Sequence, residues 1–274
     1  MLAHVVHNID PFFIKFNGWS SHVEGIRWYG VCYAVSFLIA LWMMNMYSNR
    51  ERSSLSHDQN ISFLSYAIIG VIVGGRLGYM LMYDLSEFIR DPRSVFRIWE
   101  GGMASHGGFV GVALAMWLFC KLNKVSILEL GDICSSIAPM GLFLGRIANF
   151  VNGELYGKVS YVPWAIIFPQ SDLDALTLLP RHPSQLYEGF AEGFLLFIYV
   201  QLRFWLSRNP SKGQLTGEFL IGYSIARIAT EVYRETDMPK ILGLSQGQFY
   251  SLFLFAAGAM LVYFVKKWRR KPHN

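Results

Sequence analysis

Long apolar stretches separated by short polar ones run through most of the chain. Three of these stretches contain no Asp, Glu, Lys or Arg at all: residues 28–49, 101–120 and 241–265. Four more are interrupted by only one or two charged residues: 61–83, 133–153, 183–202 and 219–233. Each charge-free stretch is long enough to cross a hydrocarbon core of about 30 Å as a helix. The pattern therefore predicts an all-α polytopic membrane protein with seven transmembrane helices.

The predicted helices cover residues 28–47, 61–83, 101–120, 133–153, 183–204, 215–235 and 246–267. The longest connection, residues 154–182, contains three prolines. A short apolar run at 164–168 within it is typical of a strand. We therefore expect residues 154–182 to form a small extramembrane head, inserted into a single integral membrane domain that covers residues 1–274.

The third predicted helix opens on a glycine-rich stretch, with four glycines among residues 101–108. Glycine is a poor helix former, so irregular backbone is expected there. At membrane depth such backbone is tolerated only where it is buried in protein or lines a wet cavity. The stretch therefore indicates a place where backbone faces other protein groups or a polar cavity.

Composition and charge exclude several other classes of protein. The chain has 274 residues, 53% of them hydrophobic, and a mean hydropathy of +0.31, an average that conceals the block pattern. Its net charge of +5 comes without a basic patch interleaved with aromatic residues, so no nucleic-acid partner is expected. The three cysteines lie in apolar stretches, which argues against a disulfide framework or a metal site.

The distribution of basic residues predicts an orientation in the membrane. The densest basic cluster, residues 266–271, follows directly after the last apolar stretch. Because lysine and arginine accumulate on the cytoplasmic side, the C-terminus is predicted to be cytoplasmic. With seven spans the N-terminus would then lie outside the cytoplasm. Residues 1–27 lack the compact apolar core of a cleavable signal peptide.

The stretch 145–157, GRIANFVNGELYG, continues the fourth apolar segment but carries Arg146, Asn149, Asn152 and Glu154. An arginine in a hydrocarbon layer is costly, so such a residue is by default a functional candidate. On a helix Arg146, Asn149 and Asn152 would share one face, since they are three residues apart. The spacing predicts a polar stripe that points away from lipid.

Several further polar residues lie in the same outer half of the membrane by this topology. They are His106, His182, Gln185, Glu188, Arg227, Glu231 and Arg234. With Glu192 they form two helical stripes, at 185, 188 and 192 and at 227, 231 and 234. A site rich in arginine and glycine suits an anionic ligand, because guanidinium forks bind phosphate oxygens. A phosphate-bearing ligand that enters from lipid would be a phospholipid.

Plainer explanations stay open for some of these residues. Arg76 could pair with a carboxylate of the fifth helix and hold the bundle together, since intramembrane charges usually pair. Gln185, Glu188 and Glu192 are equally compatible with a structural role and with a functional one. Tyr29 could be only a residue of the interfacial aromatic belt. For His106 the functional reading is favoured, because two glycines follow it and leave open backbone around it.

The stretch 145–157 resembles the signature of bacterial prolipoprotein diacylglyceryl transferases, G-R-x-G-N-F-x-N-x-E-x-x-G. One position departs, because Ala148 stands where the family commonly has glycine, and alanine is also small. Further similar motifs follow the family's order: WYG at 28–30, GGRLGY at 74–79, SHGG at 105–108, HPSQLYE at 182–188 and EVYRE at 231–235. The ordered set spans residues 28–235, so the resemblance covers most of the chain.

The resemblance implies a seven-helix bundle with a periplasmic head, in the bacterial inner membrane, with a periplasmic N-terminus and a cytoplasmic C-terminus. It implies transfer of the diacylglyceryl group of phosphatidylglycerol to the thiol of the lipobox cysteine in a prolipoprotein signal peptide. A thioether forms and glycerol phosphate leaves. The partners implied are membrane lipid and the signal peptide, and no metal or organic cofactor is implied.

Carried over to this chain, the resemblance gives His106, Arg146, Arg234 and Tyr29 as candidate catalytic residues. Arg146 and Arg234 would stabilise the departing phosphate. His106 would accept the proton of the thiol. Alternatively, arginine and Tyr29 position the reactants and no dedicated base is needed. The candidate substrate-binding residues are Arg76, Arg146, Asn149, Asn152, Glu154, Gly157, Gln185, Glu188 and Glu231.

Other classes of membrane protein fit the sequence less well. An anionic-lipid transporter would be expected to show an internal repeat and a site near the midplane, and the sequence shows no repeat. A non-catalytic membrane subunit would leave the glycine–histidine stretch and the arginine–asparagine signature without a role. An intramembrane protease would need a G-x-S-x-G motif or paired aspartates in apolar stretches, and neither occurs.

Overall fold

The computed structural model describes residues 4–16, 25–98, 101–169, 178–207, 211–236 and 239–269. Helices dominate these ranges. They are α1 (Trp28–Asn49), α2 (His57–Met82), α3 (Leu85–Arg90), α4 (Ser105–Asn123), α5 (Ile127–Val151), α6 (Ser184–Glu188), α7 (Leu196–Leu206), α8 (Gln214–Thr230) and α9 (Gln246–Arg269). The chain forms two compact units, one of residues 1–39 and 134–274 and one of residues 40–133.

Five helical segments in the described ranges are long and apolar enough to cross a membrane. They are Trp28–Asn49, His57–Met82, Ile127–Val151, Ser184–Leu206 and Gln246–Trp268. Many of their apolar side chains are exposed, among them Leu38 and Trp42 of α1, as expected where lipid covers the surface. The prediction of a helical, multi-pass membrane protein is confirmed. The predicted spans at α4 and α8 are not among the five, so the count of seven stays a prediction.

In the unit of residues 40–133, α2 begins four residues before its predicted start at 61. A capping box causes this, because Gln59 N donates to Ser56 Oγ (3.2 Å) and Ser56 N donates to Gln59 Oε1 (2.9 Å). The glycine-rich stretch that was predicted to open the third helix is irregular at 101–104, and α4 begins at 105. Gly101 and Gly102 both have positive φ, 82° and 76°.

Helices α2 and α4 approach each other along glycines. A Cβ atom on Gly107 would lie 2.2 Å from the carbonyl oxygen of Gly74, and one on Gly111 would lie 2.0 Å from that of Gly70. No side chain can occupy those positions without separating the helices. This contact fixes the first turns of α4, which carry His106, against the middle of α2.

In the unit of residues 1–39 and 134–274, the segment Ser184–Leu206 is one continuous helix with an unusual middle. A π-helical segment, Gly189–Leu195, joins α6 to α7. The predicted helix at 215–235 is wrong at its end, because α8 stops at Thr230 and a 3₁₀ turn, Glu231–Tyr233, follows. Arg234 is extended, with φ −79° and ψ 139°.

Two small sheets belong to the same unit. Strand β1 (Val5–Val6) pairs in parallel with β4 (Ile166–Ile167), and β4 pairs antiparallel with β5 (Pro180–Arg181). Strand β2 (Phe12–Lys15) pairs antiparallel with β3 (Gly25–Arg27). The strand expected within 164–168 is confirmed, whereas the participation of residues near the N-terminus was not predicted. Residues 170–177 of the predicted head lie outside the described ranges.

Candidate functional site

Three arginines and three glutamates meet inside the unit of residues 1–39 and 134–274. This Arg–Glu cluster consists of Arg146 (α5), Glu188 (α6), Glu192 (π-helical segment), Arg227 (α8), Glu231 and Arg234 (both after α8). Charges at this depth are expected to pair, and they do so here. Arg146, Glu188, Glu231 and Arg234 were predicted site residues, and the structure brings them together.

The carboxylate of Glu188 lies at the centre of the cluster. Its Oε2 is 2.8 Å from Nη2 of Arg146 and 2.8 Å from Nη1 of Arg227. Nη1 of Arg234 lies 3.2 Å from the same oxygen. Glu188 is fully buried. One carboxylate therefore joins three guanidinium groups that belong to three separate segments of the chain.

Glu192 is the second fully buried carboxylate of the cluster. Its Oε2 lies 3.2 Å from Nη2 of Arg146, and its Oε1 lies 3.2 Å from Nη1 of Arg227. Thr230 Oγ1 donates to Oε1 at 3.1 Å. Glu192 thus shares two arginines with Glu188, whereas within the described ranges the third arginine, Arg234, pairs with Glu188 and not with Glu192.

Close packing of α5 explains how Arg146 reaches both carboxylates. A Cβ atom on Gly193 would lie 2.6 Å from Cβ of Phe143, and one on Gly189 would lie 3.2 Å from Cβ of Arg146. The two glycines therefore let α5 lie directly against the π-helical segment. In a π-helix the hydrogen bonds run from i to i+5, so the turn is wider than in an α-helix.

The charges of the cluster balance, since three guanidinium groups face three carboxylates. The arginine side chains are nearly buried, with 15%, 11% and 17% exposure for Arg146, Arg227 and Arg234. Removing one partner of such a buried pair typically costs about 3–5 kcal/mol, because the other charge is left uncompensated. The sequence predicted an arginine-rich site for an anion, and the structure shows that carboxylates neutralise these arginines.

The three arginines differ in the N–H groups that they leave available. Arg227 uses both Nη atoms, for three glutamates. Among the described residues, Arg146 contacts carboxylates through Nη2 alone and Arg234 through Nη1 alone. A guanidinium carries five N–H donors. Arg146 and Arg234 can therefore bind an oxyanion while they keep their carboxylate partners.

The end of the stretch 145–157 forms a hydrogen-bonded corner after α5. Asn149 Nδ2 donates to Glu154 Oε1 at 2.8 Å, and Asn152 Nδ2 donates to the same oxygen at 3.4 Å. Gln185 Nε2 donates to the backbone carbonyl of Glu154 at 2.7 Å. Gln185 is fully buried, whereas Glu154 is exposed. Of these four predicted substrate-binding residues, Glu154 is the most accessible.

Gly157 fixes the backbone of Arg234. The two residues form an antiparallel bridge, and Lys158 N donates to the carbonyl of Tyr233 at 2.9 Å. A Cβ atom on Gly157 would lie 2.5 Å from that carbonyl oxygen and 2.7 Å from Cβ of His182. Arg234 therefore contacts Glu188 from a stretch of extended backbone. The prediction that residues 227, 231 and 234 share one helical face is wrong for Arg234, because this residue is extended and follows the helix.

His182 lies beside this bridge and packs against two tyrosines. Its ring lies 5.2 Å from the ring of Tyr233, and Nδ1 is 3.2 Å from the hydroxyl of Tyr187. Burial lowers the pKa of His182 below its ordinary value, because it disfavours the charged ring. Burial therefore opposes a positive charge on His182 beside this bridge.

Glu231 connects the cluster to the start of α9. Its carboxylate pairs with Nη2 of Arg227 and accepts a hydrogen bond from Ser245 Oγ at 3.0 Å. A Cβ atom on Gly247 would lie 2.7 Å from an oxygen of this carboxylate. Negative charge is favoured at a helix N-terminus. Glu231 is thus enclosed by protein groups.

The remaining candidates have separate surroundings. Arg76 is buried in the unit of residues 40–133 and donates to the backbone carbonyls of 94, 95, 101 and 102. In the described ranges these carbonyls are the acceptors of its guanidinium. His106 lies exposed in the first turn of α4. Tyr29 lies in the first turn of α1, 5.1 Å from the ring of Tyr33.

Comparisons with known proteins identify the family. A family model described as prolipoprotein diacylglyceryl transferase matches residues 20–264. The chain belongs to this family. A protein of Rhodospirillum rubrum is 42% identical over 272 residues, which cover 96% of this chain and 94% of that protein. One of Pseudoalteromonas translucida is 43% identical over 265 residues, 94% of each chain.

Both relatives are named phosphatidylglycerol–prolipoprotein diacylglyceryl transferase. The resemblance drawn from the motifs is confirmed. Glu192 and Arg227 were expected on the polar stripes but were not among the candidate catalytic or substrate-binding residues, and Thr230 was in neither set. The available signal was a charge in an apolar stretch, which applies to Glu192 and Arg227. Thr230 carried no such signal, because its role depends on where Glu192 lies.

Proposed function

We propose that this protein transfers the diacylglyceryl group of phosphatidylglycerol to prolipoproteins. Family membership over nearly the whole chain carries this proposal, since relatives of about 40% identity bear the name of that activity. The Arg–Glu cluster supports it physically. It provides two arginines with available N–H groups in the apolar part of a membrane protein, where a phospholipid is the natural source of phosphate.

The acceptor that we propose is the thiol of the lipobox cysteine in a prolipoprotein signal peptide. The sulfur attacks the glyceryl carbon that carries the phosphate, and the carbon–oxygen bond breaks. A thioether forms, glycerol phosphate leaves with the bonding electron pair, and the thiol proton is released. This chemistry needs a leaving phosphate whose negative charge is stabilised as it develops. It needs no electron donor or acceptor.

Arg146 and Arg234 are our candidates for that stabilisation. Each is held by the buried carboxylate of Glu188; Arg234 keeps a complete Nε–Nη2 edge for phosphate oxygens, and Arg146 keeps single N–H donors. Groups that are fixed before the reaction stabilise a developing charge without reorganisation. The balanced charge of the cluster is therefore compatible with catalysis, because the direction of the N–H groups matters as much as the net charge.

The other candidate residues divide by exposure. Glu154, Tyr29 and His106 are exposed and are proposed to face the substrates. Gln185, Glu188 and Glu231 are buried, and we propose that they act on the substrates through the groups that they hold. Arg76 is proposed to shape the approach to α4, because it ties down the carbonyls that precede that helix.

His106 is proposed to accept the thiol proton, since a neutral imidazole is an effective base near pH 7. Replacing His106 with glutamine is expected to lower kcat by about 100-fold or more, in line with the usual contribution of a general base. The measurement is turnover at saturating phosphatidylglycerol in detergent. Near-normal turnover would exclude the base and favour positioning by arginine and Tyr29 alone.

We further propose that the protein lies in the bacterial inner membrane with seven spans, a periplasmic N-terminus and head, and a cytoplasmic C-terminus. The basic residues 266–271 support this orientation. Reporter fusions at either end test it, with a periplasm-active reporter at the N-terminus and a cytoplasm-active one at the C-terminus. Activity of the periplasmic reporter at the C-terminus would contradict the orientation.

The transfer itself is tested with purified protein, phosphatidylglycerol and a peptide that carries a lipobox cysteine. Mass spectrometry should show the peptide gaining one diacylglyceryl group. A peptide with serine in place of that cysteine should stay unmodified, because an alcohol is a far weaker nucleophile than a thiolate. Modification of the serine peptide would refute the thiol as acceptor, and an unmodified cysteine peptide would refute the transfer.

A further inference from the structure

Glu188 differs from the other acidic residues of the site in the number of arginines that it orients. Its carboxylate contacts Arg146, Arg227 and Arg234, at 2.8, 2.8 and 3.2 Å. In the described part of the chain it is the acidic partner of Arg234, whose Nη1 also lies 3.4 Å from Oε1. Full burial leaves Glu188 no direct access to a lipid or a peptide.

The geometry of these contacts determines which edges of the arginines remain open. Arg146 gives Nη2 to Glu188 and Glu192, so Nε and Nη1 remain as separate single donors for a ligand. Arg234 gives Nη1, so Nε and Nη2 are available. The Nε and Nη2 groups of an arginine lie side by side with parallel N–H bonds and together bind two oxygens of a phosphate, so Arg234 keeps this pair whole, whereas Arg146 does not. Without the carboxylate of Glu188, the guanidinium of Arg234 would have no acidic partner among the described residues to fix the direction of these N–H groups.

From this geometry we infer that Glu188 is the positioning residue that aims the open Nε–Nη2 edge of Arg234 and the remaining N–H donors of Arg146 at the phosphate of the donor lipid. The inference rests on the proposed function. Glu188 acts through the two arginines and does not touch the substrate. Its role is to make two phosphate contacts available in one fixed arrangement before the lipid arrives.

Glu192 provides a matched comparison. It carries the same charge, is equally buried and lies four residues further along the same helical segment. It contacts Arg146, Arg227 and Thr230, and it does not contact Arg234. Loss of either carboxylate changes the charge of the cluster by the same amount. Only loss of Glu188 removes the acidic partner of Arg234.

The test compares Glu188→Gln with Glu192→Gln in the full-length protein, using phosphatidylglycerol and the lipobox peptide. We expect kcat to fall about 100-fold in Glu188→Gln, as for a lost group that preorganises charge stabilisation. The KM for phosphatidylglycerol should change by less than about threefold, since the added net positive charge offsets the misaligned contacts. For Glu192→Gln we expect a fall in kcat of less than about tenfold, because Arg234 keeps its partner.

Controls separate positioning from folding. The melting temperature and the monodisperse fraction are measured for both variants, and kcat is expressed per folded protein. Glu188→Asp, which retains the charge on a shorter side chain, should recover part of the lost kcat. Equal kcat losses in the two glutamine variants, or a loss in Glu188→Gln that disappears per folded protein, would overturn the inference alone. A wild-type protein that leaves the peptide unmodified would refute the proposed function and this inference with it.

Discussion

Replacing Arg234 with lysine is expected to lower kcat by about 100-fold, although the positive charge is retained. Arg234 holds Glu188 through Nη1 and has a second edge free for phosphate. Lysine has one ammonium group at the end of a flexible chain, so it cannot hold the carboxylate and present two parallel N–H groups at once. The measurement is turnover of phosphatidylglycerol with the lipobox peptide.

Arg203→Lys is the matched control for this variant. Arg203 donates to Glu218 through Nε at 2.8 Å and Nη2 at 2.7 Å, in the same unit of the chain. Its replacement by lysine therefore removes a forked ion pair that lies outside the Arg–Glu cluster. We expect Arg203→Lys to keep transferase activity. Full activity of Arg234→Lys, or an equal loss in both variants, would count against a forked phosphate contact.

Replacing Gly157 with alanine is expected to reduce transferase activity nearly as strongly as Arg234→Lys, although no charged residue is replaced. The added methyl would lie 2.5 Å from the carbonyl oxygen of Tyr233 and 2.7 Å from that of His182. Both of these groups are backbone carbonyls that cannot rotate away. The bridge between residue 157 and Arg234 therefore has to open. Overpacking of this kind typically costs about 1–3 kcal/mol of stability. The displaced Arg234 should then lose its alignment with Glu188.

The control for Gly157→Ala is Gly141→Ala on α5. A Cβ atom on Gly141 would meet no other atom within 4 Å. Alanine in a helix interior is favoured over glycine by about 0.5–1 kcal/mol. Activity and melting temperature of Gly141→Ala should therefore equal or exceed those of the wild type. If Gly157→Ala retains wild-type kcat, then the bridge is not what positions Arg234.

The sequence predicted the start of an apolar helix well where a charged residue lies directly before the apolar stretch. The start of α1 at 28 is confirmed, because a charge-free stretch begins there. The start of α2 was predicted too late, since its first turn lies in polar sequence and depends on the Ser56 capping box. Two-residue strands such as β1 carry no periodic signal, and their pairing partners are distant in the sequence.

Charged residues in apolar stretches were predicted to belong to the site, because such charges are costly in a membrane. This argument does not predict which residues they pair with. Arg146 and Glu188 were predicted, but the balance of charge in the cluster depends on packing between separate helices. The extended conformation of Arg234 depends on a bridge to Gly157, 77 positions earlier, which helical periodicity cannot show. Arg76 donates to backbone carbonyls of an irregular segment, and the spacing of charged residues along the sequence cannot indicate such acceptors.

The most direct test of the central claim follows both halves of the donor lipid at once. Phosphatidylglycerol is labelled with one isotope in the diacylglyceryl group and another in the glycerol phosphate headgroup, and is incubated with the protein and the cysteine peptide. The account predicts that the diacylglyceryl label appears on the peptide and the headgroup label in free glycerol phosphate, in equal amounts, with both lost in Arg146→Ala. Headgroup label on the peptide, or lipid that crosses a bilayer without any peptide modification, would contradict it.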